Sequence, residues 1–145
     1  MRFDIWTLVR FIHVGGAILW VGGQLTISLI VRPVAVRTLD DATRREAITQ
    51  MGASFGRLAM WGLFPVLLAT GLALSYHHGV EFGQFRVPGY GAVLSVKVVL
   101  AMASFALAAA HGMAAARSGG MARTVGIVGA LVSVVVILLA VTLAF

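Results

Sequence analysis

Two basic side chains stand where hydrocarbon is expected. His13 opens the run His13-Val-Gly-Gly-Ala-Ile-Leu-Trp20-Val-Gly-Gly23, and Lys97 closes Tyr90-Gly-Ala-Val-Leu-Ser-Val-Lys97 before a further apolar stretch. A titratable group at such a depth is costly, and an imidazole kept there serves as metal ligand, proton carrier or polar clamp. Arg10 is one turn before His13 on the same helical face, where a guanidinium can meet a haem propionate or another anion. Trp20 is seven residues after His13 on nearly the same face and can wall a planar cofactor. His13, Lys97, Arg10 and Trp20 are therefore the candidate cofactor-binding residues. His77 and His78 are adjacent at the end of another apolar stretch, with Glu81 just beyond, and imidazole suits copper or zinc. His13, His77 and His78 form the candidate metal set. Blander readings stand beside these: Arg10 snorkelling to headgroups, Trp20 packing in a core, and His77 and His78 facing solvent.

Other chemistries are excluded by what the chain lacks. With no cysteine there is no disulfide, thiolate metal site or Cys-x-x-Cys-His attachment, so any haem is held non-covalently. No Gly-x-Ser-x-Gly or Walker-type loop occurs, and Gly15-Gly16 and Gly22-Gly23 read as close helix packing. Met60, Met102 and Met113 form no Met-x-Met cluster and read as apolar fillers. The net charge of +6 comes from arginines spread over short connections without interleaved aromatics, which argues against nucleic-acid binding.

The elements that must position these residues are membrane helices. A chain of 145 residues that is 60% hydrophobic and 11% charged, with mean hydropathy +0.99, has too little polar surface for a soluble globule. Apolar stretches at about 5–31, 58–76, 91–116 and 124–145 each reach the ~20 residues that cross a bilayer. The expected fold is an all-α integral membrane bundle of four helices, one domain over 1–145. The apolar core of the first stretch exceeds that of a cleaved signal, so it is read as a retained span. Arg32, Arg37, Arg44, Arg45 and Arg57 flank the first connection and Arg117 and Arg123 the third, while Arg2, Arg10 and Arg86 lie on the other side. The positive-inside rule then sets both termini outside. Residues 37–50 read as a short interfacial helix or polar loop, and Pro65 is expected to kink the second helix.

Depth separates the histidines. If helices one and three run the same way, His13 and Lys97 both lie roughly 9–12 Å below the outer boundary. His111 is ~21 Å deeper than Lys97 and near the inner face, so it should not share a small site with His13. Lys97, Ala101, Ser104, Ala108 and His111 follow one another along one narrow face of the third helix.

The order His13, Trp20-Val-Gly-Gly23, Arg32-Pro33, Phe55-Gly-Arg57-Leu-Ala59, Thr70-Gly71 and Tyr90-Gly-Ala-Val-Leu-Ser-Val-Lys97 resembles the membrane domain of the copper-resistance protein D (CopD) family, over roughly residues 10–110. It is similar, more loosely, to HemJ-type protoporphyrinogen oxidases, whose pattern His13, Trp20, Gly23 and Lys97 match. The first resemblance implies copper handling in a bacterial inner membrane, beside a periplasmic copper protein. The second implies a b-type haem on the first-helix histidine and oxidation of protoporphyrinogen linked to a quinone. Three readings stay open: a protein binding copper or haem near the outer leaflet, with copper handling leading; a haem oxidoreductase; and a non-catalytic assembly subunit. The bilayer is the expected environment, and the small-residue face of the third helix is compatible with a homodimer.

Overall fold

The computed structural model describes residues 4–79, 89–116 and 121–142, all in or next to helices. Four of these are long and apolar enough to cross a membrane: α1 (Ile5–Thr38), α2 (Asp41–His77), α3 (Tyr90–Ala116) and α4 (Met121–Thr142). Arg2, Glu81, Arg86 and Arg117 lie outside the described residues, as do the side chains of Tyr90, Met113 and Arg123.

The first two helices start on aspartates. Asp4 Oδ1 accepts hydrogen bonds from the Thr7 backbone N–H at 2.8 Å and from its hydroxyl at 2.9 Å. Asp40 Oδ1 accepts from the N–H groups of Ala42 and Thr43, each at 3.0 Å. Both supply acceptors to donors that a helix start otherwise leaves open, and both carboxylates complement the positive end of the dipole. At the far end of α2, Gly79 takes φ 69°, a backbone shape that favours glycine, and its N–H bonds to the Tyr76 carbonyl.

The connection between α1 and α2 is only Leu39 and Asp40, so two expected boundaries are corrected. The first helix does not end near residue 31 but runs to Thr38, and the second begins at Asp41, absorbing residues read as an interfacial segment. Two π-helical turns explain how prolines are tolerated. Ile27–Val31 precedes Pro33, and Ala59–Leu63 precedes Pro65. In each, an N–H reaches five residues back, Arg32 to Ile27 and Phe64 to Ala59. The wider turn makes room for a ring that would collide with the carbonyl four residues earlier. Polar residues 41–50 are mostly good helix formers, so losing the apolar pattern does not end the helix. At 1.5 Å per residue, α1 and α2 are ~50 and ~55 Å long, well beyond ~30 Å of hydrocarbon. Their arginine-bearing ends therefore extend past it.

Contacts recur in step along the helices. Trp6 stacks on His77, His13 bonds Thr70, and Gly16 meets Leu67, so each move inward on α1 is matched by an equal move back along α2. Ser104 with Ser133, Leu107 with Gly129 and His111 with Gly126 give the same antiparallel register for α3 and α4. His13 faces Lys97 and Trp20 faces Ser104, which makes α1 and α3 parallel and in register.

The core is a small cluster of Trp20, Val21, Ala59, Leu63 and Phe105. The Trp20 ring stacks on Phe105 at 4.2 Å between centroids and on Phe55 at 5.9 Å, while Phe64 meets Phe105 edge-on. Gly23 lies directly under the Phe55 ring, and a side chain there would displace it. Most other large apolar side chains point outward, Phe11 at 73% exposure and Leu29 at 69% among them. Such a surface suits lipid, in which helix association relies on packing and hydrogen bonds rather than on exclusion of water.

Candidate functional site

Polar groups between the helices fall into layers, and the outermost is at the rim. Asp4, Trp6 and Thr7 begin α1 opposite His77 and His78 at the end of α2. The His77 and Trp6 rings stack with centroids 3.8 Å apart and planes 12° from parallel. His78 Nδ1 lies 2.7 Å from the Leu74 carbonyl, and its ring is edge-on to His77 at 5.7 Å. Hydrogen bonds from Thr7, backbone first, hold the exposed Asp4 carboxyl below the usual carboxylate range, with a smaller contribution from His77.

Two turns further in lies the layer that contains His13. The imidazole is half-buried, and its Nδ1 is 2.8 Å from Thr70 Oγ1 on α2. The Thr70 hydroxyl is in turn 2.6 Å from the Val66 carbonyl, the usual back-bond of a threonine within a helix. Close approach of the ring depends on Gly71, because a methyl group there would lie 3.1 Å from His13 Cε1. Lys97, also half-buried, comes within electrostatic reach of His13 from α3. The expectation that these two residues share a depth holds. Arg10 is exposed one turn outward, and among the described residues no contact ties it to His13.

The third layer is a closed hydrogen-bond chain at mid-depth. The Trp20 indole N–H donates to Ser104 Oγ at 3.1 Å, Ser104 lies 2.5 Å from Ser133 Oγ, and the Ser133 hydroxyl donates to the Gly129 carbonyl at 2.8 Å. Gln24 Nε2 also donates to Ser133 Oγ, at 3.3 Å. Because the Ser133 proton is directed to Gly129, Ser104 donates to Ser133 and accepts from Trp20. Ser104 and Ser133 are 2% and 1% exposed, and among the described residues no buried side-chain nitrogen or oxygen lacks a partner. This chain fastens α1, α3 and α4 together.

Of the cofactor-binding residues expected from sequence, His13 and Lys97 are brought together. Trp20 is placed in the core, its ring packed on Phe105 and Phe55 and its N–H bonded to Ser104, instead of lining an open face beside His13. The metal set His13, His77 and His78 is not assembled. His77 is seven residues along α2 from Thr70, which separates it from His13 by ~10 Å of helix. Among the described residues no three His, Cys, Asp or Glu side chains converge on a metal position. His111 lies against Gly126 of α4, two layers inward from His13, as the depth argument requires.

In the sequence Thr70 stands out only within the Thr70-Gly71 pair, and Gln24 and Ser133 carry no signal of their own. Thr70 lies on the α2 face that, seven residues on, bears His77, so the spacing of Trp6 and His13 on α1 would have pointed to it once the helices were paired. The chain matches no model of a known family, and neither a curated protein nor a solved structure is detectably similar to it.

Proposed function

We propose that this chain is a multi-pass inner-membrane protein that binds a transition-metal cofactor through His13, with b-type haem the group its residues fit best. The observation that supports this reading is a half-buried imidazole engaged through Nδ1, set level with Lys97 between helices. A copper ion needs two or more protein donors, whereas a porphyrin brings four nitrogens and asks the protein for an axial imidazole. Among the described residues no three His, Cys, Asp or Glu side chains gather at His13, and its imidazole by itself meets the second requirement. Lys97, level with His13, and Arg10, one turn outward, are cations about the same region and suit the carboxylates of a porphyrin. Bound there, haem would supply one-electron chemistry, and a membrane quinone is a suitable partner for it.

A second reading, copper handling as the CopD resemblance implies, draws on the adjacent His77 and His78 rings at the rim. In either case we place the cofactor in the outer half of the membrane and the termini outside, on the distribution of arginines about the first connection. The visible spectrum of detergent-solubilised protein, made with haem precursor and copper both supplied, tests the assignment alongside metal analysis. A Soret band that shifts on dithionite reduction is expected. Stoichiometric copper without that band would favour the second reading, and neither would leave an assembly role for the polar layers.

A further inference from the structure

An imidazole ligand has two nitrogens, and which one is free to bind depends on what the other one meets. His13 Nδ1 and the Val66 carbonyl are both within hydrogen-bond distance of Thr70 Oγ1, at 2.8 and 2.6 Å. A hydroxyl has one proton. Sent to His13, it would leave two oxygens 2.6 Å apart with no proton between them, Thr70 Oγ1 and the Val66 carbonyl. Sent to Val66, it satisfies that carbonyl and leaves a lone pair on Oγ1 aimed at Nδ1, which must then supply the proton. Gly71 keeps the arrangement close by leaving room for Cε1.

We infer that Thr70 is a positioning residue that holds His13 as the Nδ1–H tautomer and so presents the Nε2 lone pair as the binding atom of the site. Free histidine prefers the opposite tautomer, so this state has to be imposed by the acceptor on α2. The role of Nε2 as the binding atom rests on the proposed function. The tautomer itself does not, and it is a property of the chain without any cofactor. Thr70 thus gives a reason for the sequence pair Thr70-Gly71: one residue selects the tautomer and the other admits the ring.

The test is nitrogen NMR of protein labelled with ¹⁵N-histidine, prepared without cofactor at a pH where His13 is neutral, with the His13 signals assigned by their loss in His13→Gln. The expected wild-type spectrum has the His13 proton on Nδ1. Thr70→Val, which keeps shape and removes the hydroxyl, should lose that preference, and Thr70→Ser should restore it. A merely structural role for Thr70 would leave the tautomer unchanged in Thr70→Val and would overturn the inference. A wild-type spectrum with the proton on Nε2 would overturn it as well, even if Thr70→Val does not fold. Should the Nδ1–H signature be present while the purified protein takes up neither haem nor copper, the tautomer assignment stands and the proposed function falls.

Discussion

The hydrogen atom that Gly71 has in place of a side chain is as much part of the His13 site as the imidazole itself. Alanine at a helical glycine ordinarily stabilises the helix by up to about 1 kcal/mol. At Gly71 the added methyl would press on His13 Cε1 at 3.1 Å, so stability and binding should move apart. Gly71→Ala is expected to keep its thermal midpoint and lose about 10-fold in cofactor affinity, the scale typical of groups that orient a ligand. Gly15→Ala, two residues from His13 but with nothing within 4 Å of the new methyl, should leave affinity unchanged. Equal affinities in the two variants, measured by haem titration, would remove Gly71 from the site. His13 and Lys97 were legible in the sequence because a basic group in hydrocarbon has few reasons to persist. Thr70 was not, since a threonine in an apolar helix can satisfy its hydroxyl on its own backbone. Trp20 was ambiguous for a further reason: helical spacing gives the direction of a side chain but not what the neighbouring helix places there.

Helix ends and irregular turns decide how the layers line up. Asp40 begins α2 after a two-residue connection, and bonds from the Thr43 side chain and backbone, then Ala42, hold its exposed carboxyl below the usual carboxylate range. A depressed folded-state value means that the cap stabilises fully above the unfolded value and loses that contribution as pH falls through the folded one. Acidification below about pH 4 should therefore speed amide exchange at Ala42 and Thr43, relative to its intrinsic rate, ahead of the helix interiors. Asp40→Asn keeps the acceptor and should abolish that pH dependence. The same acid response in Asp40→Asn would show that the turn opens for another reason. The Asp40-Asp41 start of α2 is visible in the sequence, but the fall in hydropathy across residues 37–50 hides it. Hydropathy reports where lipid ends, whereas the helix continues until a cap or a bad backbone stops it. Neither Pro33 nor Pro65 ends its helix, because a π turn ahead of each lets the helix pass through.

At the scale of the whole molecule, four apolar helices and their alternating direction followed from composition and span length. Their pairing came only from contacts. The sequence gives no partner for a lipid-facing or core-facing residue, and a membrane bundle buries so few large side chains that pattern alone does not rank the faces. Because the chain has no cysteine, single replacements report its orientation without background. Glu46→Cys in the α1–α2 hairpin should react with a membrane-impermeant maleimide only after cells are opened, and His78→Cys should react in spheroplasts. The reverse pattern would invert the topology and place the His13 layer in the inner half of the membrane. The central claim is that His13 binds the cofactor and His111, two layers away, does not. Haem and copper content of the wild type, His13→Ala and His111→Ala, measured on the same preparation from the reduced-minus-oxidised spectrum and metal analysis, tests it most directly. A cofactor is expected in the wild type, lost in His13→Ala and retained in His111→Ala; retention in His13→Ala, or equal loss from both variants, would contradict binding at His13.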